Sequence, residues 1–149
     1  MKRLRSRIRA YSIASVSPSL LIAVEKLHTE CFGQQDYFAT VGKFKHELSL
    51  NILGRLFVAM YNGTVVGYLL VGVQPQFGHL RGERLGISRK WRRKGLGRAL
   101  VLKALEYSHK EDMQYCTYVA LENTASIRLH LNCGLQITKS DKVFLYLRE

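Results

Sequence analysis

Seven consecutive residues, Arg92-Arg93-Lys94-Gly95-Leu96-Gly97-Arg98, combine two glycines with four cationic side chains. That mixture suits an anion. Glycine lets the chain turn tightly and lets backbone N–H groups come close to a ligand. A helix opening at the second glycine would present first-turn N–H groups with no internal partner, and its dipole would add partial positive charge. A phosphate there accepts several N–H bonds at once, and the arginines and lysine add charge-assisted bonds. Together these suit a pyrophosphate. Taken alone, a Gly-x-Gly pair reads equally well as a tight strand-to-helix turn. It is not a Walker loop, because no Gly-Lys-Ser/Thr follows, and it lacks the Gly-x-x-Gly continuation of a dinucleotide fingerprint.

A second constellation is Asn123, Ser126 and His130. Spacings of three and four residues place them within about 60° of one another on a helix, so they share one face. The neighbours Ile127, Leu129 and Leu131 are apolar. Such a polar stripe suits either a helix lining a ligand groove or a capping asparagine followed by solvated side chains.

Both motifs need elements to hold them. Arg3, Arg5, Arg7 and Arg9 alternate with Leu4, Ser6, Ile8 and Ala10, which is strand periodicity with one basic face. Ser17-Pro18 reads as an N-cap followed by proline at the first helical position. The helix it opens runs to about Phe32 and buries Leu20, Leu21, Val24, Leu27 and Cys31. Phe38, Val41, Phe44, Leu48 and Ile52 suggest a second helix, or two short ones, over 36–50. Arg55–Tyr61 and Thr64–Gln74 are strand-like and joined by Asn62-Gly63, a strong hairpin signal. Leu80–Ser88 predicts a strand leading into the glycine loop, and Gly97 to about Lys110 predicts a helix. Tyr115–Leu121 is strand-like, Asn123–Asn132 a short helix stopped by Gly134, and Lys142–Leu147 a last strand. The order β, α, α, β, β, β, α, β, α, β combines an antiparallel hairpin with a parallel crossover, so it implies a mixed α/β sheet with helices on both faces.

The 149 residues fit one domain spanning 1–149. The net charge of +12 favours acidic partners, nucleic acid included, although surplus Lys and Arg also serve solubility. The excess is concentrated over 81–103, where nine basic residues face the single acid Glu83, which favours a specific anion. Cys31, Cys116 and Cys133 are odd in number and form no CxxC pair. That argues for reduced thiols and against a disulfide framework or a metal site, and suggests the cytoplasm. No apolar run approaches the ~18 residues of a membrane helix. The first 24 residues lack an acid, as in a transit peptide, but their alternation fits a strand better.

The two motifs together resemble the GCN5-related N-acetyltransferase (GNAT) superfamily. Its phosphate signature Gln/Arg-x-x-Gly-x-Gly/Ala is matched by Arg92-x-x-Gly95-x-Gly97. Its later element, approximately Asn-x-x-Ala-x-x-x-Tyr-x-x-x-Gly-Phe, is similar to Asn123-x-x-Ser126-x-x-x-His130-x-x-x-Gly134-Leu135. The hairpin Val58–Val71 is also typical. Three positions depart from the pattern: Ser126 for Ala, Leu135 for Phe and His130 for Tyr. The last of these touches the chemistry.

The resemblance implies a mostly antiparallel mixed sheet of six to seven strands whose central parallel pair splays apart, with acetyl-CoA in the gap. The backbone of Leu85, Gly86 and Ile87 would pair with the pantetheine arm. Arg92 and the amides of Arg93, Lys94, Gly95, Leu96, Gly97, Arg98 and Ala99 would hold the pyrophosphate. Asn123 and Ser126 would contact the cofactor near the thioester. The implied reaction is direct attack of a primary amine, on a protein or a small molecule, upon that thioester.

Glu83, four residues before Ile87 and so expected on the same strand face, is the base candidate. Its alternative is a surface carboxylate paired with Arg81 or Arg84. Glu122 and Tyr118 are weaker base candidates. His130 is the acid candidate by position, although a neutral imidazole could act as base or spectator. No metal is expected, and the chain is expected to work as a monomer or homodimer. The rival readings are a CoA-binding sensor without catalysis and a basic nucleic-acid-binding module.

Overall fold

Asn62 and Gly63 turn the chain with φ of 48° and 75°. Both central residues thus take the left-handed region that a two-residue hairpin demands. This locks strand β2 (Arg55–Tyr61) against β3 (Thr64–Gln74), with Tyr61 opposite Thr64. The computed structural model describes residues 7–33 and 37–149, with side chains in the second stretch from residue 42. Of the basic alternation, Arg3, Leu4, Arg5 and Ser6 lie outside the described residues, as do the side chains of Phe38 and Val41. Strand β1 is Ile8–Ser12, with Ile8 buried and Arg9 exposed as the alternation predicts.

Helix α1 (Pro18–Phe32) starts where the sequence says, with Ser17 Oγ accepting a bond from the Leu20 amide at 3.3 Å. The segment 36–50, open to one helix or two, forms a single helix α2 (Tyr37–Leu50). Strand β4 (His79–Ile87), helix α3 (Leu96–Lys110), strand β5 (Gln114–Ala120) and helix α4 (Thr124–Asn132) follow as expected. Strand β6 (Gln136–Ser140) was not read from the sequence. All five of its residues are exposed, so it carries no apolar alternation to detect. Strand β7 (Phe144–Arg148) inserts between β5 and β6, so the sheet order is β1-β2-β3-β4-β5-β7-β6.

Among the described residues only β4 and β5 run parallel. They pair over four positions, His79–Gln114 to Gly82–Thr117, and then part. Thr117 Oγ1 donates to the Gly82 carbonyl at 3.1 Å on the last rung. Beyond it β4 continues to Ile87 and β5 to Ala120 without pairing. The divergence coincides with a bulge. Leu70 lies opposite Arg84 and Val71 opposite Gly82, which leaves Glu83 as the extra residue. An extra residue bends a strand and inverts the side-chain alternation beyond it. Leu80 packs on the α3 face before the bulge, and Leu85 and Ile87 pack there after it.

That face buries Leu69, Val71, Leu100 and Tyr115 under α3 and α4. The other buries Val24, Phe44, Leu56 and Tyr68 under α1 and α2. Each such apolar side chain contributes roughly 1.5–3 kcal/mol. Within the second layer the Tyr68 hydroxyl and His28 Nδ1 share a hydrogen bond of 2.5 Å, and His28 stacks on Phe44 with ring centroids 4.3 Å apart. Burial, reinforced by Arg84 and opposed by Glu47, lowers the His28 pKa to about 4.

Folded His28 therefore stays neutral down to about pH 4, while an unfolded histidine takes its proton near 6.5. Stability is complete above pH 6.5 and falls as the pH drops through that window, by about 2–3 kcal/mol from this group. His28→Gln, which keeps a hydrogen-bonding group for Tyr68 but does not titrate, is expected to flatten that part of the Tm-against-pH curve. An unchanged slope would assign the acid sensitivity elsewhere.

Candidate active site

The glycine loop is built by two left-handed residues, Arg93 with φ of 60° and Gly95 with φ of 80°. Gly95 caps α3 without a side chain in the way. The amides of Leu96, Gly97 and Arg98 occupy the first turn and have no helical acceptor. Ala99 departs from expectation. Its amide already bonds the Gly95 carbonyl at 3.0 Å and its methyl group is buried in the core, so it has nothing to offer a phosphate. Lys94 is not among the residues that line the cleft, and its ammonium lies over the Trp91 ring, 5.7 Å from the centroid. Arg92 folds back, donating from Nε to the Ile87 carbonyl at 3.0 Å. Gly97 brings α3 against α4, since a Cβ there would meet Leu129 Cδ2 at 3.2 Å.

From this loop a cleft of about 680 Å³ runs along β4. Leu85, Gly86, Ile87, Arg92, Arg93, Gly95, Leu96, Gly97, Arg98, Asn123 and Ser126 all line it. Cys31, Phe32, Trp91, Ala125 and Leu129 complete the wall and carried no site signal in the sequence. The cleft shares Phe32, Leu85, Asn123 and Ser126 with a smaller cavity of about 180 Å³ between the parted strands. Glu83, Tyr115, Tyr118 and His130 line that cavity. Tyr118 is shared in turn with a third hollow on the far face, whose walls include Arg81, Lys139, Tyr146 and Arg148. One trough thus passes from the glycine loop through the gap in the sheet to the side where α1 and α2 pack.

Glu83 sits at the bulge, and the bulge corrects its placement. Gly72, on the α1–α2 face, lies within 3.2 Å of Glu83 Oε1 when given a Cβ, whereas Ile87 packs against Leu96 and Leu100 on the other. The two are not on one strand face. Arg81 Nε donates to Glu83 Oε1 at 2.6 Å, the pairing weighed as its alternative. Arg84 instead holds Glu47 of α2 through three contacts of 2.8–3.0 Å, which ties α2 to β4. Tyr118 is 56 % exposed with its ring 4.8 Å from that of Tyr146, and Glu122 lies exposed in the turn before α4.

Asn123 caps α4, its Oδ1 accepting from the Ser126 amide at 3.2 Å. His130 is buried, with Nδ1 2.8 Å from the Ser126 carbonyl. A carbonyl only accepts, so Nδ1 carries the proton and Nε2 presents a lone pair. Burial lowers the His130 pKa, partly offset by that bond, so the ring is neutral. Its ring lies parallel to that of Tyr115, at 11° with centroids 6.3 Å apart. Tyr115 is the polar residue that sequence reading missed. An aromatic residue at the start of a strand-like run reads as core, and only the fold shows it among the residues of the cavity, its buried hydroxyl packed against Gly82. The three cysteines are unpaired. Among the described residues no cluster of His, Cys, Asp or Glu is placed to hold a metal, and no helix is long and apolar enough to cross a membrane.

The free first-turn amides, the left-handed glycine and the cationic side chains at the mouth fit a diphosphate, and the apolar run along β4 fits a flexible chain behind it. The comparisons agree. No curated protein matches the chain in sequence. Among solved structures, PaiA N-acetyltransferase from Thermoplasma acidophilum, in complex with coenzyme A, superposes with a TM-score of 0.75 at 14 % identity, covering 95 % of this chain and 98 % of that one. The ribosomal-protein-S18-alanine N-acetyltransferase from Escherichia coli gives 0.74 at 14 % identity over 95 % and 92 %. A spermidine N-acetyltransferase chimera from Vibrio cholerae gives 0.74 at 15 % over 95 % and 94 %. The family model described as Acetyltransferase (GNAT) family matches residues 21–135. With the phosphate-type loop, the parted parallel strands and this match in hand, the chain belongs to the GNAT family of acetyltransferases, which use acetyl-CoA.

Proposed function

We propose that the chain is an N-acetyltransferase that acts on a primary amine. The observation that carries this is the continuous trough, with a phosphate-type loop at one end and a second opening beyond the gap in the sheet. Bound at the first end, acetyl-CoA supplies an activated acyl thioester. Arg93, Arg98 and the amides of Leu96 and Gly97 hold its phosphates. The unpaired edge of Leu85–Ile87 aligns the arm. An amine entering from the Tyr118–Tyr146 side reaches the same gap without displacing the cofactor.

That amine must shed a proton, because a lysine-type group with a pKa near ~10.4 is almost wholly protonated at pH 7. Glu83 at the gap is the acceptor we assign. His130 is better suited to accept a bond than to donate one, since its only proton is engaged with Ser126. The solved relatives named above act on amines of several kinds, and the proposal adopts only that common group. The basic surface makes an amine on an acidic or nucleic-acid-associated partner in the cytoplasm the preferred acceptor class.

Titration calorimetry with acetyl-CoA is the test, followed by free-thiol release across a panel of protein N-termini, lysine peptides and small amines. Micromolar binding with turnover on one class is expected. Tight binding with no turnover on any acceptor would favour a sensor, and no binding at millimolar concentration would remove the reading.

A further inference from the structure

On the far face of the sheet the strand register sets three side chains in one row. Arg81 of β4 lies opposite Cys116 of β5, and Cys116 lies opposite Arg148 of β7. Their chain neighbours Leu80, Tyr115 and Leu147 are buried in the α3 layer, so by alternation the row looks out on the other side. The adjoining row pairs Tyr118 with Tyr146, and Tyr146 with Lys139 of β6. Helices α1 and α2 bury residues of β2 and β3 but none of β5, β6 or β7, so this half of the face stays open. It forms the hollow of about 630 Å³ beyond the gap. Arg81, Lys139 and Arg148 line that hollow, and none of the described residues that line it is Asp or Glu. Among the described residues neither Lys139 nor Arg148 is paired with a carboxylate. Arg81 holds Glu83, so the row begins beside the assigned base. Burial raises the Cys116 pKa, and Arg81 and Arg148 both oppose that rise, as two cations acting on one spot do. Cations gathered without acids repel one another until an anion sits among them, and the tyrosine rings beside them offer a planar apolar wall.

We propose that this hollow selects the acceptor, taking the acidic side chain of a peptide whose N-terminal amine enters the gap. The inference rests on the acetyltransferase reading and names its acceptor class. Two strand spacings, about 10 Å, separate Glu83 on β4 from Arg148 on β7. About three extended residues span that distance. An Asp or Glu at the second or third position of the peptide therefore meets the Arg148 guanidinium while the amine lies beside Glu83, and the pair gains a charge-assisted bond. A nucleic acid would satisfy the cations but brings no aliphatic amine to the gap. A polyamine or a lysine-rich chain is repelled by them.

Calorimetry on the coenzyme A-loaded protein tests this with two tetrapeptides, Ala-Glu-Glu-Ala and Ala-Gln-Gln-Ala. The acidic peptide should bind about 10–100-fold more tightly, and kcat/KM with acetyl-CoA should show the same ratio. The advantage should shrink in about 0.5 M salt. Arg148→Gln should bring the ratio near one, and Arg148→Glu should make Ala-Lys-Lys-Ala the better ligand of the acidic and basic pair. Arg148 is exposed, so both variants should fold, with coenzyme A affinity measured on the same preparations as the check. Three results from a parent that binds coenzyme A would overturn this inference alone: equal or absent binding of the two peptides, an acidic preference that survives Arg148→Glu, or a short oligouridine bound more tightly than the acidic peptide. If the parent does not bind coenzyme A, the acetyltransferase reading falls and the inference with it.

Discussion

Gly95→Val is expected to weaken acetyl-CoA binding by at least about 10²-fold in calorimetry, whereas Gly95→Asn keeps most of the affinity. Gly95 sits at φ of 80° and caps α3. A β-branched residue is a genuine outlier there, whereas asparagine visits the left-handed region at modest cost. Forcing valine into that turn costs on the order of 1–3 kcal/mol, or else moves the loop. Either way the amides of Leu96, Gly97 and Arg98 lose their common aim. Losing two charge-assisted bonds of roughly 1.5–3 kcal/mol each gives the stated factor. The core under α3 rests on Leu96, Leu100 and Ala104, which the substitution does not touch, so the fold should survive. Equal affinities for Gly95→Val and the parent would show that the loop does not hold the diphosphate.

Glu83→Gln is expected to lower turnover about 10²-fold near pH 7 with coenzyme A affinity unchanged. Glutamine keeps an oxygen for Arg81 Nε, so the 2.6 Å contact and the bulge persist while the negative charge is lost. The pH profile carries the sharper information. As the pH rises toward the ~10 range the acceptor amine becomes neutral without help. The parent and the variant should therefore converge in alkaline buffer. A variant that matches the parent at every pH would leave Glu83 as no more than the partner of Arg81. Because the bulge turns Glu83 toward the α1–α2 face, this outcome also reports which side of the sheet the amine enters from.

The parts legible in the sequence are those governed by neighbours in the chain. Asn62-Gly63 makes a hairpin because both residues tolerate positive φ, and Ser17-Pro18 opens α1 because a hydroxyl cap and a fixed φ act locally. The glycine loop and the Asn123–His130 stripe were readable for the same reason: spacing along one turn or one helix face is a local property. Strand β6 was not, since its exposed residues carry no pattern.

What the tertiary structure decided depends on pairing across the sheet. The extra residue at Glu83 exists only relative to β3, and it reverses a face assignment that alternation along β4 alone would make. The parting of β4 and β5 after Gly82 likewise belongs to two strands and the helices between them. Ala99 left the site because a helical bond claimed its amide first. The buried hydroxyl of Tyr115 was settled by Gly82, thirty-three positions away in sequence, whereas the protonated nitrogen of His130 was settled by Ser126, four positions back on its own helix. Residue type and local spacing therefore determined which chemistry this chain could support. Long-range packing determined which atoms are free to perform it, because a donor or acceptor is available only when no nearer partner has already taken it.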